Sequence, residues 1–178
     1  MRGKQSGFTL VEAVICLAMV GILLAIGVPA WTGVLARTHA ASARAALLAT
    51  LTGSITHAAR TGSEVVLCPA GNAGCENSWD WSSGWIAFAD IDGDRRKDAG
   101  ETLLTSVPAL HEGIRLVTSK GRRKLVIQPN GGNAGSNVTF TLCRAGKPSD
   151  AVMLVLSNRG RLRSAPATRG KARLCGSS

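Results

Sequence analysis

Residues 7–31, GFTLVEAVICLAMVGILLAIGVPAW, are apolar almost throughout and carry one charge, Glu12. As a helix over residues 8–31 the stretch would run about 36 Å at about 1.5 Å per residue. That length spans a bilayer core of about 30 Å. A secretory signal peptide places its small residues after a shorter apolar run. Here the small residue, Gly7, stands before the run and behind a basic leader, MRGKQSG. Cleavage at Gly7 would remove the leader and keep the helix. A carboxylate inside a membrane segment is costly, so Glu12 marks a functional position.

Gly7-Phe8-Thr9-Leu10-Val11-Glu12 resembles the class III leader of type IV pilins and pseudopilins and matches its G-F-T-L-x-E motif in full. The resemblance implies that a prepilin peptidase cuts after Gly7 and that the new N-terminal Phe8 is methylated. It implies that Glu12 pairs with the N-terminal amine of a neighbouring subunit, which neutralises both charges in an apolar bundle. An inner-membrane protein with one pass, a periplasmic domain and other pilin subunits as partners is then expected, ending in a cell-surface pilus. The expected division is a leader over 1–7, a transmembrane assembly helix over 8–31, its amphipathic continuation over 32–61 and a globular β domain over 62–178.

At 178 residues the chain has room for one globular domain beyond the helix. Its net charge of +10 is unevenly placed. Residues 1–100 hold 8 Lys/Arg and 8 Asp/Glu, whereas residues 101–178 hold 13 against 3. A one-sided basic field suits a polyanionic partner. Of the five cysteines, Cys16 lies in the membrane stretch as an apolar filler. Cys68, Cys75, Cys143 and Cys175 remain, and an even count in an oxidising compartment reads as two disulfides. Proximity favours Cys68–Cys75 across a short glycine-containing loop and Cys143–Cys175 at the C-terminus. Without a CxxC pair, zinc is not favoured.

Pro29 predicts a kink in the helix, and pilin-like helices continue past a proline at this place. Leu48, Leu51 and Ile55 form an apolar stripe to lay on a sheet, and Thr61-Gly62 ends the helix. After residue 62 the period changes. Strands are expected over 64–68, 85–89, 101–106, 114–118, 124–128, 138–143 and 151–156, with turns between them. The fold class is therefore α+β, a long N-terminal helix packed on an antiparallel β-sheet domain.

The segment DIDGDRRKDAGE, residues 90–101, places acids at calcium-loop positions 1, 3, 5, 9 and 12. Position 6, which needs a sharp turn, is Arg95, and Arg95, Arg96 and Lys97 oppose a cation. The expectation is a polar hairpin loop whose acids pair with its own bases, with no metal. Trp85-Ile86-Ala87-Phe88-Ala89-Asp90, this acidic turn, Gly100-Glu101-Thr102-Leu103-Leu104 and Val65-Val66-Leu67-Cys68-Pro69 are together similar to the GspH/FimT class of minor pilins and pseudopilins. Trp79 and Trp81 offer rings for base stacking, but closing over the core is the expected role.

Residues 157–173, SNRGRLRSAPATRGKAR, hold six bases and no acid. Arg159, Arg161 and Arg163 alternate, so one extended strand would point all three to one face, about 6.6 Å apart. That spacing is similar to the phosphate repeat of a nucleic acid strand, and the guanidinium fork suits phosphate. Gly160-Arg161-Leu162-Arg163 resembles the GRxR motif of FimT-type DNA-uptake pilins, in which the arginines carry DNA binding. Arg169, Lys171 and Arg173 continue the run. Arg122 and Arg123, beside Lys120 and Lys124, form a second basic loop. His39, His57 and His111 have no visible Cys or Ser partner, so no catalytic constellation and no cofactor are expected. The expected function is a minor type IV pilin that binds DNA phosphates, largely without sequence preference, for uptake in natural transformation. A structural minor pilin or a type II secretion pseudopilin is the alternative.

Overall fold

The computed structural model describes residues 7, 9–72, 74–119, 121–144 and 147–175, except the side chains of residues 29, 30, 32, 148 and 175. The chain forms two compact units, one ending at Thr38 and one spanning His39–Ser178.

In the first unit, helix α1 (Leu10–Thr61) begins one residue after Thr9. Thr9 Oγ1 accepts from the Glu12 backbone N–H at 3.3 Å. Thr9 and Glu12 have the spacing of a capping box, and an acid in the first turn complements the helix dipole. Glu12 therefore has a local reason for its position besides any subunit contact. Phe8 lies outside the described residues. Leu10, Leu17, Ile22, Leu24, Ile26 and Trp31 are all exposed, and the helix is long and apolar enough to cross a membrane. The helix continues through residues 29 and 30 without a break. Cys16 is free and exposed.

In the second unit the helix lays Ala43, Leu47, Leu51, Ser54 and Ala58 into the core. This corrects the expected stripe: Leu51 belongs to it, whereas Leu48 and Ile55 only flank it. Ala43, Ser54 and Ala58 share the buried face with Leu47 and Leu51, and residues this small give little hydrophobic signal in the sequence. Thr50 is buried as well, and its hydroxyl accepts from Trp85 Nε1 at 3.1 Å and donates to the Ala46 carbonyl at 2.9 Å. Gly62 closes the helix with φ +72° and its N–H on the Ala58 carbonyl at 3.0 Å, the left-handed C-cap that favours glycine.

The strands are β1 (Glu64–Gly71), β2 (Gly74–Cys75), β3 (Trp85–Asp90), β4 (Leu103–Val107), β5 (Ile114–Thr118), β6 (Leu125–Ile127), β7 (Val138–Arg144), β8 (Lys147–Leu156) and β9 (Leu162–Pro166). All pairings are antiparallel. One sheet runs β2-β1-β3-β4, with β6 also on β1, and the other runs β5-β7-β8-β9. Seven strands fall where the hydrophobic runs place them. β8 begins at Lys147, four residues before the expected run at 151–156, and its first residue pairs with Arg144 of β7. β2 is two residues long, too short for a periodic signal.

The main core joins α1, Val65 and Leu67 of β1, Leu116 of β5, Phe140 of β7 and Leu154 of β8. Trp81 is fully buried in it, edge-on to Phe140 with ring centroids 5.1 Å apart, so it is a core residue and not a base-stacking one. β1 is apolar on its other face too. Val66 and Cys68 pack with Ile86, Phe88 and Val126 beneath Ala70, Cys75 and Ala134. Asp80, bonded to Ser82 and Arg115, ties the 79–82 loop to β5. Burial raises its carboxyl, but these hydrogen bonds and the Arg115 charge outweigh burial and hold it below the ordinary carboxylate value.

Cys68 and Cys75 form the expected disulfide. Cys143 is also disulfide-bonded, whereas the side chain of Cys175, its expected partner, lies outside the described residues. A bridge closing a loop this short constrains the unfolded chain by about 2–3 kcal/mol. Cys68→Ser with Cys75→Ser is expected to lower unfolding free energy by about that amount, measured by urea denaturation of oxidised protein. An unchanged midpoint would contradict it.

Candidate nucleic-acid interface

The acid-free C-terminal run folds into the β8–β9 hairpin and a short tail. In the hairpin Leu156 pairs with Leu162, and Val155 with Arg163. The turn is closed by Gly160 N–H on the Ser157 carbonyl at 3.0 Å and Ser157 N–H on the Arg161 carbonyl at 2.9 Å. Ser157 Oγ accepts from the Arg161 N–H at 3.0 Å. The turn also docks on the loop over residues 128–137. Asn158 N–H donates to Asn137 Oδ1 at 2.9 Å, and the Asn158 carbonyl accepts from Asn133 N–H at 3.0 Å.

Gly160 has φ +75°, and a Cβ there would lie 2.3 Å from the Gly131 carbonyl oxygen. Only glycine fits both the backbone angle and the space. The first position of Gly160-Arg161-Leu162-Arg163 is therefore a hinge that seats the turn, and its arginines follow from that seating.

Leu162 packs on the core. In a strand the next residue points the other way, so Arg163 stands on the outer face, opposite half-buried Val155. Arg161 precedes the strand, and Arg159 lies in the turn itself. The expected single strand carrying all three arginines is thus corrected: Gly160 turns the chain between the first and the second. The three are nonetheless brought together. An open recess of about 680 Å³ is lined by Arg159, Arg161 and Arg163 with Asn137, Ser157, Asn158 and Leu162. It contains no acid, and the three arginines are exposed. β9 is an edge strand, and charge there also deters edge-to-edge pairing.

Arg169 and Lys171 lie on the short helix α2 (Arg169–Ala172), followed by a 3-10 turn, Arg173–Cys175. Ala167 and Ala172 pack against Cys143 and Ala151. The tail thereby covers the end of the second sheet remote from the hairpin turn. Arg169, Lys171 and Arg173 are not part of the arginine recess.

The second basic loop divides in role. The Arg122 guanidinium donates to the Ala134 carbonyl at 3.3 Å and to the Ser136 carbonyl at 2.7 Å, so it braces the same loop on which the hairpin turn docks. Arg123 is exposed. Lys120 lies outside the described residues. Arg95 and residues 121–124 line a recess of about 440 Å³ with Val126, Ala134 and Gly135. The 128–137 loop therefore lines both basic recesses. Asn133, Ser136 and Asn137, which organise it, carry no sequence signal beyond turn propensity. His39 stacks on His111 with centroids 3.7 Å apart, a packing arrangement beside the core.

Residues 43–160 match the family of type II transport protein GspH, and residues 2–28 match the prokaryotic N-terminal methylation motif. The chain belongs to the GspH family. Among solved structures it is similar to the type IV minor pilin FimU of Pseudomonas aeruginosa in two crystal forms. The TM-scores are 0.59 and 0.55, the identities 19% and 18%; each match covers 73% of this chain, and 90% and 92% of FimU respectively. These likenesses establish the shared pilin fold. The minor pseudopilin EpsH of Vibrio cholerae also matches, with TM-score 0.47 and 13% identity over 75% of this chain and 95% of EpsH.

The methylation motif and the exposed apolar helix fit a membrane-anchored, pilin-like subunit. The expected processed form begins with N-methylated Phe8, and mass spectrometry of protein extracted from membranes checks it. Intact Met1 in cells with active prepilin peptidase would contradict it. Glu12→Val is expected to leave export intact and to block incorporation into the filament, read by shear-fraction immunoblotting.

Proposed function

We propose that the chain is a minor type IV pilin that binds DNA through the phosphate backbone and serves DNA uptake in natural transformation. The observation that supports this most directly is the acid-free recess in which Arg159, Arg161 and Arg163 meet. Guanidinium groups held by a docked turn present paired donors to phosphate without base readout. Exposed Arg123 and the basic recess beyond the shared loop extend the same field. Arg122 contributes by holding that loop. Arg169, Lys171 and Arg173 add long-range attraction. On this reading the globular domain is periplasmic before assembly and lies at the cell surface in the pilus, with other pilin subunits as neighbours.

The family description as a type II transport protein favours a second reading, a pseudopilin of type II secretion without DNA binding. A mobility shift of full-length protein in detergent micelles, with duplex DNA at 50 and 200 mM salt, separates the two. The DNA reading expects binding at low salt that weakens by several hundredfold at the higher one when four to six phosphates are engaged (roughly 0.9 per phosphate in the log–log slope). No shift at 50 mM salt would leave the pseudopilin reading.

A further inference from the structure

We infer that the β3–β4 connection is a calcium site built from Asp90, Asp92 and Asp94. Each of these aspartates brings a carboxylate oxygen within 4.8 Å of the others. Oxygens bound to one calcium ion at about 2.3–2.6 Å lie at most about twice that distance apart, so the cluster is already at ligand spacing.

Asp90 itself points to a ligand. It ends β3, is only 3% exposed, and its Oδ2 is buried with no hydrogen-bond partner among the described residues. A buried carboxylate oxygen without a donor is costly, and it is ordinarily paired or bound to a metal. Asp90 Oδ1 is already engaged, accepting from Gly93 N–H at 3.1 Å and Arg95 N–H at 3.4 Å. Asp92 and Asp94 likewise use Oδ1 on loop amides, those of Asp94 and Arg96. Each of the three thus keeps Oδ2 for another partner.

Two features of the sequence bear on a cation here, the residue at the sharp turn and the loop's own bases. Arg95, at the position needing a sharp turn, has φ +61° and makes that turn without glycine. The expected pairing of the loop's acids with its own bases does not occur. The two ion pairs among the described residues, Arg115–Asp80 and Arg144–Asp150, lie elsewhere. Lys97 donates to the Asp98 carbonyl, and Arg95 lines the recess beside Arg122. Glu101 staples the far end of the loop by accepting from Ile91 and Asp98 N–H groups, each at 3.1 Å. It is a brace, unlike the bidentate twelfth ligand of a helix-flanked calcium loop.

Three carboxylates with no nitrogen or sulfur donor select a hard cation. The ion completes its shell with loop carbonyls and water. An irregular, partly exposed loop suits calcium, whereas magnesium demands near-octahedral ligands at shorter distances. Two of the ligands are exposed, so the affinity belongs with extracellular modules, with Kd of about 10⁻⁴–10⁻³ M.

The test uses full-length protein in detergent micelles, stripped of metal, with CaCl2 or MgCl2 as the probe. Calorimetric titration is expected to show one calcium per chain. In 10 mM CaCl2 the melting temperature is expected to rise by about 5 °C, and MgCl2 is expected to give less than half that shift. Asp92→Asn with Asp94→Asn is expected to weaken binding at least tenfold and abolish the shift. These side chains are exposed, so the metal-free variant keeps the wild-type melting temperature or exceeds it. No heat and no shift at 10 mM calcium would overturn the site, as would a variant that responds like the wild type. An equal or larger shift with magnesium would overturn the assignment to calcium.

Discussion

Arg161→Gln combined with Arg163→Gln is expected to lower affinity for duplex DNA about 50-fold at 0.1 M salt. It is also expected to flatten the slope of log affinity against log salt by about two units. Each phosphate neutralised contributes about 0.9 to that slope, so two fewer neutralised phosphates account for the fold-change at that salt concentration. All sequences should weaken alike, because arginines on phosphate carry no base information. Stability should not change. Both side chains are exposed, and neither makes a hydrogen bond or ion pair to a described residue. Melting temperature and filament incorporation are therefore expected to match the wild type, while DNA binding and transformation fall. Unchanged binding with a normal melting curve would remove the recess from the proposed site.

Gly160→Ala is expected to cost about 2–4 kcal/mol and to lower the melting temperature by about 10 °C. Two effects add. The left-handed angle of +75° disfavours any Cβ, and the new methyl would lie 2.3 Å from the Gly131 carbonyl oxygen. The turn must then lift off the 128–137 loop, and the hydrogen bonds of Asn158 with Asn133 and Asn137 go with it. DNA affinity should fall although no charge is removed, since Arg159 and Arg161 lose their placement. Gly62→Ala is the control. Its φ is +72°, but a Cβ there meets nothing within 4 Å. The backbone effect alone applies, about 1–2 kcal/mol, and DNA binding should persist. Equal effects of the two substitutions would show that the close approach to Gly131 is unimportant.

The same contrast separates the residues whose role is legible in the sequence from those whose role is not. Charge and periodicity are local properties. The leader, the apolar helix, the Cys68–Cys75 proximity, seven of the strands and the basic run at 157–173 are all readable one segment at a time. A single strand bearing Arg159, Arg161 and Arg163 does not survive folding, because alternation continues across Gly160 in the sequence while the backbone does not. The buried helix face is wider than the expected stripe, because Ala43, Ser54 and Ala58 are buried beside Leu47 and Leu51 while Leu48 and Ile55 pack at its margin.

By itself the sequence determined a membrane-length helix with a processing motif, an antiparallel β domain behind it and a basic C-terminal half. Each follows from composition and spacing within a single stretch of chain. Only the tertiary structure decided that Trp81 packs edge-on against Phe140, that Arg122 braces the loop on which the arginine turn sits, and that Asp90 is buried with a free oxygen beside Asp92 and Asp94. The first two depend on pairings such as Trp81 with Phe140 and Arg122 with Ser136, and the seating of the turn on that of Gly160 with Gly131. These partners lie 14 to 59 residues apart, and no local pattern encodes which distant group will fill the space beside a side chain.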